Sequence, residues 1–206
     1  MIGTEYGLLD EGALLFERAV KLDPLTANNL LFLGACKTIQ SGPQYGLKDV
    51  EKAVQLEPEF INALDFLARI YADLGRMEDA KKYFEKSMTL KPSIKDHSAI
   101  DVAYVYLKLG NTRKAYELEN NDWFILTHLG LYDRAIKAMP FYDEKKPSAN
   151  NVYLLLKYFV VTKEFAPLKT NKEFQRVYER NKSKYEENKK KYGILNLLNQ
   201  LPSSSL

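Results

Sequence analysis

The side chains able to do covalent or metal chemistry are few. Cys36 is the single cysteine of 206 residues, so the chain can form neither an internal disulfide nor a cysteine-based zinc site. It stands in the apolar stretch "LLFLGAC", where an inert, buried thiol is expected. His97 and His128 are far apart and have no carboxylate at metal-ligand spacing, so no metal and no cofactor is expected. Asp65 and Asp101 could be neighbouring carboxylates, but acids on helix surfaces are too common to suggest a glycosidase-like pair. There is no glycine-rich phosphate loop and no G-x-S-x-G turn. These absences point away from an enzyme.

Charge offers one further candidate. Residues 169–192 carry nine basic residues, among them Lys172, Arg176, Arg180 and Lys184, against Glu173, Glu179, Glu186 and Glu187. Such a segment could contact phosphate or an acidic protein. The interleaved acids read better as a solvated helix face, so nucleic acid is disfavoured. The net charge of +3 is mild. No apolar run reaches the ~18–20 residues of a membrane span, and "MIGTEYGLLDEG" lacks the pattern of a secretory signal. A cytoplasmic location without membrane contact is expected.

What must position any site is a repeated element. "KLDP", "QLEP" and "TLKP" are one phrase written three times, and Pro24, Pro58 and Pro92 recur at a single fixed interval. That interval is the period of paired antiparallel helices. Between the last two prolines, Ile61, Leu64, Leu67, Ala68 and Tyr71 fall at helical spacing. Gly75 breaks the pattern, and Ala80, Tyr83, Phe84, Ser87 and Leu90 form a second helical run. Small residues at 68 and 80 let two helix backbones approach. Neither helix can bury its stripe alone, so pairs must stack.

These residues resemble the tetratricopeptide repeat, whose pattern runs large-x2-L-G-x2-Y, A-x3-F, P. Residues 61–94 match through Leu64, Leu67, Ala68, Tyr71, Ala80, Phe84 and Pro92. Residues 27–60 match through Leu30, Leu33, Gly34, Gly46, Val50, Ala53 and Pro58, and depart at Lys37, where the family prefers tyrosine. Upstream, Gly12, Phe16, Ala19 and Pro24 supply only a second half, so the chain is expected to begin within a repeat, as a stub or as part of a longer protein. Residues 95–119 continue one residue out of phase, and 120–140 form a degenerate unit led by Trp123. The resemblance implies an all-α fold: a right-handed α-solenoid over 1–140, capping helices over 141–200 and a tail at 201–206. Ser148 is read as the cap of an apolar helix, and Thr170 or Asn171 as the cap of a long one from Lys172 to Tyr192. "EFAPLKTNKEF" resembles a segment that closes such arrays in some bacterial regulators.

The resemblance also implies a site. In this family the concave surface is lined by the first helix of each pair. Asn28, Leu31, Ala35, Asn62, Asp65, Phe66, Arg69, Ile100, Asp101, Tyr104 and Lys108 would stand there. An extended peptide could be gripped by Asn28 and Asn62 on its backbone, Arg69 and Lys108 on its carboxylates, and Phe66 and Tyr104 on its apolar side chains. Leu31 and Ala35 occupy places where the family's clamp for chaperone C-termini needs basic and amide groups, so that clamp is not expected. The resulting expectation is a non-enzymatic scaffold binding a protein or peptide partner. The alternatives are a sensory or regulatory segment of a bacterial transcription regulator or cyclase, and a nucleic-acid-associated module working through the basic last helix.

Overall fold

The structure, a computed structural model, describes residues 9–139 and 163–192. All regular secondary structure among them is helical. In chain order the α-helices are α1 (Leu9–Leu22), α2 (Ala27–Ser41), α3 (Pro43–Leu56), α4 (Ile61–Asp73), α5 (Met77–Leu90), α6 (Ala99–Lys108), α7 (Thr112–Leu118), α8 (Trp123–His128), α9 (Tyr132–Ala138) and α10 (Lys172–Tyr192). Short 3-10 turns span Ile94–Asp96 and Lys163–Thr170. The cap expected at Ser148, the helix after it and the tail lie outside the described residues.

The punctuation is chemical. Gly75, Gly110 and Gly130 take φ angles of +74°, +84° and +74°, a left-handed conformation that glycine adopts without a Cβ penalty. Each closes a first helix in the same way. Arg76 N–H donates to Tyr71 O at 2.9 Å, Asn111 N–H to Tyr106 O at 2.8 Å, and Leu131 N–H to Leu126 O at 2.9 Å, while each glycine N–H bonds the carbonyl three residues back. These are Schellman closures, which satisfy carbonyls that the helix end would leave unpaired. Asp122 caps α8 by accepting from Phe124 and Ile125 N–H, both at 3.0 Å. Pro43 opens α3, where its missing N–H costs nothing.

The chain divides into two compact units: Phe16–Ala138, and Met1–Leu15 with Met139–Leu206. Within the first, α2 packs on α3, α4 on α5, α6 on α7 and α8 on α9. The first helices also pack on one another, α2 on α4, α4 on α6 and α6 on α8. The described array is thus a solenoid of helix pairs. Leu64, Leu67, Ala68, Ile70 and Ala80 are fully buried, each large one contributing about 1.5–3 kcal/mol. Phe84 of α5 meets Tyr106 of α6 edge-on at 4.9 Å, joining one pair to the next. The α2–α3 crossing is tighter still. A Cβ on Gly46 would sit 2.1 Å from both Gly34 O and Thr38 Oγ1. The departure at Lys37 also has a local cause. Its ammonium pairs with Asp49 of α3 at 2.7 Å, whereas Tyr71, one repeat later, donates to Glu51 Oε1 at 2.6 Å.

In the second unit α10 runs over the predicted span, capped by Asn171, which accepts from Glu173 and Phe174 N–H at 2.9 and 3.1 Å. Its buried stripe is Phe174, Val177, Asn181, Tyr185 and Asn188. Burial, then the charges of Asp10 and Glu11, push the Tyr185 phenol up to about 12. Arg176 pairs with Glu173, and Lys184 with Glu187, along the solvated face.

Candidate functional site

Because α2, α4, α6 and α8 pack in a row, residues spaced by about one repeat come together on them. Arg69 of α4 is the centre of the largest such cluster. Its Nη1 donates to Asp101 Oδ1 of α6 at 2.6 Å. Its guanidinium carbon lies 5.9 Å from the ring centre of Phe66, 5.2 Å from Tyr104 and 5.1 Å from Phe124. Rings on α4, α6 and α8 thus surround one cation, a favourable arrangement for their negative faces. Burial works against the Arg69 charge, but Asp101 and then Asp73 outweigh it and hold the group above its ordinary range. Tyr104 O–H donates to Asp73 Oδ1. Asp122 also feels Arg69, although burial leaves its carboxyl above the usual value.

A second pair lies beside it. His97, in the connection before α6, has a fully buried side chain against the equally buried Asp65 of α4. Its Nδ1 is 2.9 and 3.1 Å from the two carboxylate oxygens, and its Nε2 is 2.6 Å from Lys91 O. Both ring nitrogens face oxygen, so the pair must hold a proton between Nδ1 and the carboxylate. Burial raises the Asp65 pKa, opposed first by a hydrogen bond from Ser87 and then by His97. Asp65 and Asp101 do influence each other, but each is already paired, Asp65 with His97 and Asp101 with Arg69.

Four of the eight predicted site residues are engaged within the protein. Asp65, at 1% exposure, and Asp101, at 8%, are taken by His97 and Arg69, and Tyr104, at 4%, is buried beneath the guanidinium. Arg69 was offered to a partner's carboxylate, but Asp101 already stands on it. The reason is distance along the chain: residues 69 and 101 meet only because α4 packs on α6. Asn28 and Asn62 are exposed at equivalent places on α2 and α4, and Phe66 and Lys108 are half-buried. Lys108 Nζ lies 5.7 Å from the Tyr104 ring and forms no ion pair among the described residues. The structure adds His97, Phe124 and Phe32, the last 41% exposed and stacked on Phe16 at 5.2 Å. Phe32 was legible, since it stands one repeat period before Phe66. His97 was not, since its partner belongs to the preceding helix pair, far off along the chain.

Among the described residues no three His, Cys, Asp or Glu side chains are placed to hold a metal ion, and no helix is long and apolar enough to cross a membrane.

Known proteins resemble this chain in the same terms. Residues 61–94 match the family model of the tetratricopeptide repeat. The chain is 26% identical over 146 residues to anaphase-promoting complex subunit 3 of Schizosaccharomyces pombe, an alignment covering 63% of this chain and 21% of that protein. The chain therefore spans about a fifth of the length of the curated relative it matches. The matched repeat, its recurrence as stacked helix pairs and this likeness agree: residues 61–94 form a tetratricopeptide repeat, within an array of helix pairs similar to those of repeat proteins.

Proposed function

We propose that the protein is a non-enzymatic scaffold that holds a protein or peptide partner along the row of first helices. The observation that carries this reading is the pairing of exposed and fixed groups on one row. Asn28 and Asn62 are exposed and their side chains make no hydrogen bond among the described residues, while Phe66 and Lys108 are half-buried. Beneath them the Arg69–Asp101 and Asp65–His97 pairs tie α4 to α6 and to the connection before it. A face already ordered in the free protein loses little freedom on binding. The name of the yeast relative is that of a subunit of a complex, which agrees with association through protein surfaces without identifying this chain's partner.

The test uses chemical cross-linking of the full chain in cell extract with mass spectrometry. Wild type is compared with Asn62→Ala, Phe66→Ala and Lys108→Glu. The expected result is one set of cross-linked proteins lost in the variants, with circular dichroism unchanged. An identical set in all four preparations moves the binding surface elsewhere.

A further inference from the structure

The charge around Arg69 restricts what this face can accept. Arg69 has five N–H donors, and one of them is engaged, by Asp101. The others meet no hydrogen-bond acceptor among the described residues, and the side chain keeps 16% exposure. This leaves an oriented donor edge held between aromatic rings. It is not a free positive charge, because Asp101, Asp73 and Asp122 all act on the same guanidinium. Lys108 Nζ lies 5.7 Å from the centre of the Tyr104 ring, and His128, also beside Tyr104, bears on Asp122. The three carboxylates already compensate the Arg69 charge. An incoming carboxylate would be repelled, whereas a neutral peptide carbonyl gains a donor without that repulsion.

Two more observations fit a main chain. Asn28 and Phe32 stand one helical turn apart on one face of α2, and Asn62 and Phe66 on α4 repeat the pair one period later. Neighbouring helix axes lie about 8–10 Å apart. An extended chain advances about 3.3 Å per residue, so side chains about three residues apart can reach both phenylalanines. Asp73, one turn beyond Arg69 on α4, is exposed; it accepts from Tyr104 and has no ion-pair partner among the described residues.

Resting on the scaffold reading above, we infer that the partner presents an extended, uncharged-to-basic segment. Its main-chain carbonyls meet the open edge of Arg69 and the amides of Asn28 and Asn62. An apolar side chain lies against Phe32 and Phe66, and a lysine or arginine faces Asp73.

Selection of a phage-displayed library of random linear peptides on the full chain tests this. Selected peptides are then titrated by fluorescence anisotropy against wild type, Asn62→Ala and Asp73→Asn. Both replacements are at exposed positions, and asparagine keeps an acceptor for Tyr104. The expected outcome is enrichment of lysine or arginine near a large apolar residue, depletion of aspartate and glutamate, loss of binding with Asn62→Ala and a weakening of about fivefold with Asp73→Asn. Acidic peptides that still depend on Asn62 would overturn the charge assignment and leave the scaffold reading standing. No enrichment, or peptides indifferent to both variants, would overturn both.

Discussion

Arg69 illustrates how much a single side chain depends on its neighbours. A guanidinium at 16% exposure is tolerable because Asp101 neutralises it and three rings cover its faces. Removing one partner leaves the other partly buried and unpaired, which costs more than the pair itself contributes. Arg69→Gln and Asp101→Asn should each destabilise the protein by about 2 kcal/mol, and the double variant by much less than the sum. Urea unfolding of the four proteins measures this coupling, and additive losses would show that the contact carries no energy. Asp65 gives a pH-dependent counterpart. Its folded pKa lies above its ordinary 3.8, so the folded state binds this proton more tightly than the unfolded state. That contribution is complete below the unfolded pKa and lost as pH rises through the folded one. Relative to Asp65→Asn, wild type should therefore gain stability as pH falls from neutrality towards 3.8, seen in urea midpoints at successive pH values. A constant difference would contradict it.

At the level of the helix pair, two kinds of glycine behave differently. Gly46 is required by space: a Cβ there would collide with the backbone carbonyl of Gly34, which no side-chain movement relieves. Gly46→Ala should cost about 3 kcal/mol by forcing α2 and α3 apart. Gly75 is required by conformation alone. Nothing lies within 4 Å of its Cβ position, but its φ is +74°. Gly75→Ala should cost only about 1 kcal/mol. Thermal unfolding of both separates the two effects, and equal losses would refute the distinction. At position 80, one repeat after Gly46, alanine is already present and fully buried. The α4–α5 pair thus accommodates the methyl groups that α2–α3 excludes. Repeats of one length are not interchangeable parts.

Across the described array, stability follows from contact with neighbours, because each pair buries its stripe only against the next. α4 packs against α2, α3, α5 and α6, and Ala63, Leu64, Leu67, Ala68 and Ile70 are fully buried along it. Amide hydrogen exchange should be slowest in α4, and faster in the short α7 and α9. The opposite order would mean that the array is not held by its central pair. Much of this was legible beforehand. The spacing of Pro24, Pro58 and Pro92 and the recurring Leu-Gly turns determine where helices start, stop and pair, since these depend on residues close in sequence. The span of α10 from Lys172 to Tyr192, with Asn171 as one of two candidate caps, was legible for the same reason. Which polar residues remain available was decided only in three dimensions. Arg69 with Asp101, and Asp65 with His97, are brought together by packing between successive repeats, so the protein itself engages side chains that sequence alone leaves open. Local periodicity is written in the order of residues, whereas the neutralisation of charge depends on distances that only the stacked helices set.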